Sequence, residues 1–159
     1  MLDSPTGTHR VRIVEVTRTE AVESPDSPSE FEDWGEIDSR ARPPELLRWL
    51  IEADGGAVVG DLSAHPVYHG PTAGSRAMNI GITVLEAFRG RGIGTIAQRL
   101  LAEELHLRGV IRVEASTDVR NLPEQRALAK AGFVMEGVLR RAQGRRDGIH
   151  DLQLWSHIE

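Results

Sequence analysis

Met78–Leu107 reads MNIGITVLEAFRGRGIGTIAQRLLAEELHL, and the rest of the chain is organised around it. Asn79-Ile80-Gly81-Ile82-Thr83-Val84 is rich in β-branched residues and bounded by turn material, which predicts a strand. From Ile93 onward the apolar residues Ile96, Ala97, Leu100, Leu101 and Leu105 recur at helical spacing, with Arg91, Gln98, Arg99 and Glu103 elsewhere around the wheel. Gly90, Gly92 and Gly94 fall where that helix begins. Glycines there let the backbone approach a ligand and aim unpaired N–H groups at it. Together with the positive end of the helix they form an anion site suited to phosphate. Arg89 and Arg91 add charge to the same loop. The chemistry points to a cofactor that carries a pyrophosphate.

More than one reading of the glycines is open. Gly92-Ile93-Gly94-Thr95-Ile96-Ala97 fits the dinucleotide fingerprint G-x-G-x-x-G/A, with Glu114 near the position of a ribose-binding acid. That reading makes the protein a nicotinamide-dependent Rossmann enzyme. In such a unit the first glycine follows the strand almost at once, whereas Leu85 to Gly90 intervene here. The residues after Ala97 are also too few for a doubly wound sheet. A glycine-rich turn with no ligand is the bland alternative, since glycines also serve tight turns.

Val84-Leu85-Glu86-Ala87-Phe88-Arg89-Gly90-Arg91-Gly92-Ile93-Gly94 resembles motif A of the GNAT superfamily of N-acetyltransferases, in which Arg/Gln-x-x-Gly-x-Gly/Ala cradles the pyrophosphate of acetyl-coenzyme A. Arg89, Gly92 and Gly94 stand at the three fixed positions. A second block, Asn121, then Lys130-Ala131-Gly132-Phe133, Glu136-Gly137 and Asp147-Gly148, resembles the branch that acetylates ribosomal-protein N-termini. The similarity runs from about Arg48 to the C-terminus. It implies an α/β (α+β) fold: a mixed, mostly antiparallel central sheet of about six to seven strands with helices on both faces.

Length and composition agree with one folded domain over residues 1–159, large enough for a sizeable core, and apolar residues make up 40%. The absence of cysteine removes disulfides, thiolate metal sites and cysteine nucleophiles together. No metal site is expected. Met1 to Arg10 lacks the apolar core of a signal peptide, and no run approaches the length of a membrane span. The expectation is a cytoplasmic protein with no membrane partner. A net charge of −5 argues against nucleic acid as a partner. A homodimer stays open.

Val11–Val16 reads as a first strand. Glu20 to Asp38 then carries eight acids and no base, with Pro25 and Pro28 confining any helix to about Ser29–Ile37. Such a run is usually a solvated loop. In GNAT enzymes this region lines the acceptor mouth, so the resemblance implies an acidic lip that attracts a cationic amine, with Phe31 and Trp34 as candidates either to stack on it or to plug the core. Leu46 to Ala53 and Ala57 to Leu62, around Asp54-Gly55-Gly56, read as a hairpin. His65, Tyr68 and His69 then fall beside Pro66, Gly70 and Pro71, which predicts a polar loop, and His65 and Tyr68 are acceptor-site candidates if that loop matters. Val110–Ala115 is a further strand. Asn121-Leu122-Pro123-Glu124 opens a helix with capping-box spacing that ends at Ala131-Gly132. Phe133–Met135 and Asp151–Trp155 are the last strands, and Arg140, Arg141, Arg145 and Arg146 are expected in solvent between them.

Acetyl transfer needs an uncharged amine, a polarised thioester carbonyl and a protonated leaving thiolate. By resemblance the main chains of Ile82, Thr83 and Val84 hold the cofactor's amide arm, with the Val84 N–H as oxyanion donor. The Asn121 side chain supports that arm, and Arg89, Gly90, Arg91, Gly92, Ile93, Gly94 and Thr95 take the phosphates. The acid and base depart from the family pattern. The positions matching the usual glutamate base are Met78 and Asn79, the usual tyrosine falls at Leu128, and the serine three residues after the asparagine is Glu124. Glu124 is therefore the one catalytic side-chain candidate, as a base close to the thioester, although its capping position also accounts for it. Keeping a lysine amine neutral at pH 7 costs about 4.6 kcal/mol against about 1.4 for an α-amine. The expected function is acetyl-coenzyme A-dependent acetylation of a cationic small amine or a peptide N-terminus. The alternative from another class is a catalytically degenerate module that binds acyl-coenzyme A and turns nothing over.

Overall fold

The computed structural model describes residues 2–4, 9–16, 29–38, 40 and 45–159. The strands are β1 (Leu2–Ser4), β2 (Val11–Val16), β3 (Leu47–Ala53), β4 (Ala57–Tyr68), β5 (Arg76–Val84), β6 (Arg112–Asp118), β7 (Val134–Arg145) and β8 (Gly148–Ile158). Helix α1 (Ile93–Leu107) joins β5 to β6, and α2 (Leu122–Lys130) joins β6 to β7. The sheet runs β1-β2-β3-β4-β5-β6-β8-β7, eight strands rather than six or seven, with three-residue β1 at one edge. Every neighbouring pair is antiparallel except β5 and β6. The mixed, mostly antiparallel architecture expected from the sequence is therefore the one found. A doubly wound sheet is not, and Glu114, the candidate ribose acid, is buried and bonded to Arg112 and His69. The nicotinamide reading falls with it.

Alternation along the strands decides which side carries the core. Register aligns Met78, Ile80, Ile82 and Val84 of β5 with Pro66, Ala64, Leu62 and Gly60 of β4 on one face. Helix α1 packs there: Gly94 lies within 3.7 Å of the Ile82 and Val84 side chains. Ile93, Leu101 and Leu105 of α1 are almost completely buried with Trp49, Ile51, Leu62 and Met78. Each such side chain contributes on the order of 1.5–3 kcal/mol relative to exposure. The exit of α2 is on the same face, because Phe133 packs edge-on against His157, which also meets His106 of α1. Among the described residues both helices thus share one face, where helices on both faces were expected, because Gln98 of α1 meets Glu124 of α2 directly. The other is approached by the loop around Glu32, which bonds Thr83, and by His69, which reaches Glu114.

Two local expectations change and one alternative is settled. Ser29–Ile37 is an open turn, the loop expected of such an acidic run, and not the helix that its sequence also allowed. In a helix Glu32 and Glu36 would repel at i,i+4, and Gly35 takes a φ of +69°. The hairpin arm continues through Tyr68, so His65, Pro66 and Tyr68 lie in β4 and not in a loop. Pro66 is tolerated because proline needs only a ladder position where no N–H is called for. The last hairpin is also longer than expected, turning at Arg146-Asp147. It carries Arg145 inward, as shown below.

Candidate active site

The parallel pairing of β5 with β6 is confined to Met78–Ile80 against Val113–Ala115. Beyond Ile80, β5 stays with β4 through Val84 while β6 stays with β8 through Asp118. The two strands therefore part at their carboxyl ends, the place where a crevice opens between parallel strands of an α/β sheet. A Cβ on Gly60 would stand 2.2 Å from the Thr83 carbonyl oxygen, so that oxygen faces β4. Alternation then turns the N–H and C=O of Ile82 and Val84 toward the opening. Thr83, one of the three main chains expected to hold a ligand, points the other way.

The loop that follows closes one end of the crevice. Leu85–Phe88 is pinned by hydrogen bonds from Leu85 N–H to Val59 O and from Phe88 N–H to Leu85 O, at 2.9 and 2.8 Å. Arg89 folds back, its Nε donating to Val84 O at 2.8 Å. Gly90 and Gly92 have φ of +73° and +80°, the left-handed region that favours glycine. A Cβ on either would meet nothing within 4 Å. Gly92 is the N-cap of α1 and offers no side chain to the first-turn N–H groups. The guanidinium of Arg91 stands 5.4 Å from the Phe88 ring centre. Ile93 sends its side chain into the core, leaving its backbone for the site, and Thr95 is half-buried in the first turn. Glycine-cornered amides, a helix N-terminus and two arginines form a donor set that fits a pyrophosphate.

The other wall is the start of α2. Asn121 caps it, accepting from the Glu124 N–H at 3.3 Å. The Glu124 carboxyl does not complete the capping box. It reaches across to α1, where Gln98 Nε2 donates to Glu124 Oε1 at 2.8 Å. Burial pushes the Glu124 carboxyl up to about 7, against the smaller opposing pull of the Gln98 hydrogen bond. Gln98 is 1% exposed, and its Oε1 has no hydrogen-bond partner. Sequence reasoning placed Gln98 on the wheel without a role. Its signal was a polar side chain one turn beyond Gly94 on the stripe that faces β5.

On the sheet face away from the helices, Thr83 pairs in register with Asp61 and donates to Glu32 Oε1 at 3.1 Å. Burial raises the Asp61 carboxyl and Glu32 adds to that, while Arg48 opposes it. Asp61 and Glu32 bring carboxylates to the end of β5. Asp61 was not singled out from the sequence, although alternation in a strand that reaches Tyr68 would have put it on one face with Ser63 and His65. The acceptor candidates are not brought together. His65 pairs with Asn79, four residues along β4 from Asp61 or about 13 Å, and burial lowers its pKa. Tyr68 is exposed at the strand end. Trp34 and Phe31 lie against the guanidinium of Arg145, at 6.0 and 5.6 Å from its carbon. Arg145 itself, expected in solvent, is 8% exposed and donates to Asp118 Oδ2 at 2.6 Å. Burial alone would raise the Asp118 carboxyl; the Arg120 N–H and the Arg145 guanidinium outweigh it and hold it low. Residues 20–28 of the acidic run lie outside the described residues. Among the described residues no group of three or more potential ligands is arranged to hold a metal, and no helix is long and apolar enough to cross a membrane.

The structure is similar to Mycobacterium smegmatis RimJ in complex with CoA-disulfide: 30% identity, 71% of this chain and 53% of that one, TM-score 0.63. A ribosomal-protein-alanine N-acetyltransferase from Brucella melitensis matches at 26% identity over 72% of this chain and 69% of that one, TM-score 0.62. The fold is shared also with RimL, a ribosomal L7/L12 alpha-N-protein acetyltransferase solved with coenzyme A, at 24% identity over 71% of this chain and 62% of that one, TM-score 0.62. The chain thus spans between about half and two thirds of the length of several of these relatives. No curated protein matches it. The family model for acetyltransferases of the GNAT type matches residues 10–133, which takes in the parting strands, the glycine loop and both helices. The chain belongs to the acetyltransferase (GNAT) family.

Proposed function

We propose that the protein is an acetyl-coenzyme A-dependent N-acetyltransferase acting on a primary amine, either a cationic small amine or a peptide N-terminus. The observation that carries this reading is the parting of β5 and β6 beyond Ile80 beside the glycine-cornered start of α1. The complex of RimJ with CoA-disulfide supports the same cofactor here, and the name of the Brucella melitensis relative, a ribosomal-protein-alanine N-acetyltransferase, favours a protein N-terminus as acceptor.

Acetyl-coenzyme A, bound along the crevice, supplies an acetyl group activated as a thioester. The amides from Gly90 to Thr95, with Arg89 and Arg91, hold its pyrophosphate. Main-chain groups of Ile82 and Val84 take its amide arm, and the Val84 N–H is the donor for the carbonyl oxygen as negative charge develops there. Asn121 keeps both roles, capping α2 and lining the arm. Glu124, across the crevice from α1, is the side chain placed to move a proton. Neither Met78, buried on the helix face, nor Asn79 offers a base. The amine therefore loses its proton to water, which favours an α-amine, about 1.4 kcal/mol to neutralise at pH 7, over lysine at about 4.6. Asp61 and Glu32 attract a cationic acceptor toward Thr83. The reading carries a cytoplasmic setting and leaves a homodimer open.

Thiol release with acetyl-coenzyme A should be measured against peptides with free N-termini, small amines and lysine side chains. Turnover of α-amines or small amines is expected. Activity confined to lysine side chains would contradict the acceptor preference. Cofactor uptake without turnover across the panel would instead identify a binding module. No uptake at millimolar acetyl-coenzyme A by folded protein removes both readings.

A further inference from the structure

Among the described residues, the amide of Gln98 is the buried side-chain group left without a full set of partners. Its nitrogen is spoken for by Glu124 at 2.8 Å, but its oxygen, buried with the rest of the side chain, accepts nothing. A buried acceptor left unpaired is costly and uncommon, so its neighbours must be asked for a donor. The group already in contact with this amide is the Glu124 carboxyl, and it has a donor in only one protonation state. As a carboxylate, Glu124 accepts from Nε2 and leaves Oε1 orphaned. As a carboxylic acid it accepts from Nε2 at one oxygen and donates its O–H to Oε1 from the other, closing a planar ring of two hydrogen bonds. Only the acid satisfies both partners.

We infer that Gln98 is a positioning residue, whose amide pairs with Glu124 as a neutral carboxylic acid and holds that acid's proton beside the crevice between β5 and β6. The surroundings favour the same state: burial is the main influence on the Glu124 carboxyl, and no charged side chain contributes to its shift. The pair makes Glu124 a proton donor, not the base that a free carboxylate would be. This role rests on the acetyltransferase reading. When the neutral amine has attacked and the C–S bond breaks, the sulfur takes the Glu124 O–H proton and leaves as thiol. The amide nitrogen loses its extra proton to water, and the carboxylate left on Glu124 is reprotonated from solvent after the thiol departs. No oxidant, reductant or further co-reactant is required.

The pairing is tested in isotopically labelled protein without cofactor, by following the Gln98 side-chain amide and the Glu124 carboxyl carbon from pH 5 to 9. The expected result is that the Gln98 carbonyl carbon shifts with the Glu124 midpoint, near 7. In Glu124→Gln, where a second amide can make the same two bonds, it stays at its low-pH position throughout. A Gln98 signal that is flat across the wild-type titration, or a Glu124 midpoint below 5, overturns the pairing. The role is read separately from the kinetics of acetyl transfer to a peptide N-terminus. In wild type kcat falls above the Glu124 midpoint, and Glu124→Gln lowers kcat about 100-fold while the KM for acetyl-coenzyme A stays within about twofold. Retained kcat in Glu124→Gln defeats the proton-donor role and leaves the acetyltransferase reading standing. Pairing by magnetic resonance with no turnover of any amine defeats that reading and the donor role while the pair itself stands.

Discussion

The junction of β5 with α1 and the knot around Arg145 are both organised by arginines and short loops, yet they are built from different material. At the junction the groups on offer are backbone: two glycines at positive φ, a helix start without a side-chain cap, and main-chain groups of Ile82 and Val84. At the knot the working groups are side chains from three distant segments. Asp118 ends β6, Arg145 ends β7, and Phe31 and Trp34 arrive from the acidic loop. The loop is tied down further where the Arg146 N–H donates to the Asp33 carbonyl at 3.0 Å and its guanidinium meets the Asp33 carboxylate. A backbone site needs only residues that permit a conformation, so it is written in consecutive letters. A side-chain knot needs partners that the fold brings together.

The contrast is broken most severely at Arg145. Arg145→Ala leaves the Asp118 carboxylate buried without its main cation, and removing one member of such a pair costs about 3–5 kcal/mol. Chemical denaturation should show that loss, while calorimetry at a temperature where the variant is folded finds acetyl-coenzyme A bound as before. A parallel loss of cofactor affinity would mean that the two regions are not separable.

Next in size is the pH dependence carried by Glu124. With a folded pKa near 7 against an ordinary 4.5, the folded protein binds more protons than the unfolded chain between those values. Stability therefore falls as pH rises through that window, by at most about 3 kcal/mol at roughly 1.4 kcal/mol per unit. Denaturation curves of Glu124→Gln should lack this decline, so that the variant matches wild type near pH 5 and exceeds it near pH 8. A wild-type curve that is flat from pH 5 to 8 would remove Glu124 as a buried acid.

Gly92→Val probes the junction itself. A β-branched residue at φ +80° is strained by about 1–2 kcal/mol, and moving out of that region misaims the first amides of α1. Affinity for acetyl-coenzyme A should fall about 10- to 100-fold with little change in the helix signal by circular dichroism. Undiminished affinity would place the pyrophosphate elsewhere.

Trp34→Ala is the mildest. It removes one of two rings on Arg145, worth about 0.5–1 kcal/mol. If Trp34 is a clamp on the knot, stability drops by that amount and KM for the amine holds. A rise in KM for the amine at unchanged stability would return Trp34 to the acceptor site proposed from the sequence.

The elements with strong local signatures were legible beforehand. Helix α1 begins at Ile93 as its periodicity indicated, and α2 begins after Asn121 because an asparagine cap and Pro123 leave little choice. The hairpin of β3 and β4 follows from Asp54-Gly55-Gly56, where φ of +43°, +95° and +100° are tolerated. What failed were readings that depend on neighbours. Pro66 marks a loop by its type, but it lies past the last β3 partner, Leu47 opposite Ala64, where β4 is paired with β5 alone and a missing N–H is tolerated. The arginines after Leu139 were assigned to solvent by charge, and Arg145 was drawn inward by Asp118. Glu124 was read as a possible base from its place in a motif; its proximity to Gln98, 26 residues earlier, reverses the sign of that argument.

Consecutive residues alone set the strand–glycine loop–helix unit, and with it the resemblance to the acetyltransferase family, because φ preferences, periodicity and unpaired amides act within one short run. The parting of β5 and β6 after Ile80, the turn of Thr83 toward β4 and the empty oxygen of Gln98 beside Glu124 arise in the assembled sheet and helices. Those facts depend on which strand is hydrogen-bonded to which and on how closely two helices approach, quantities that no local pattern of residues encodes.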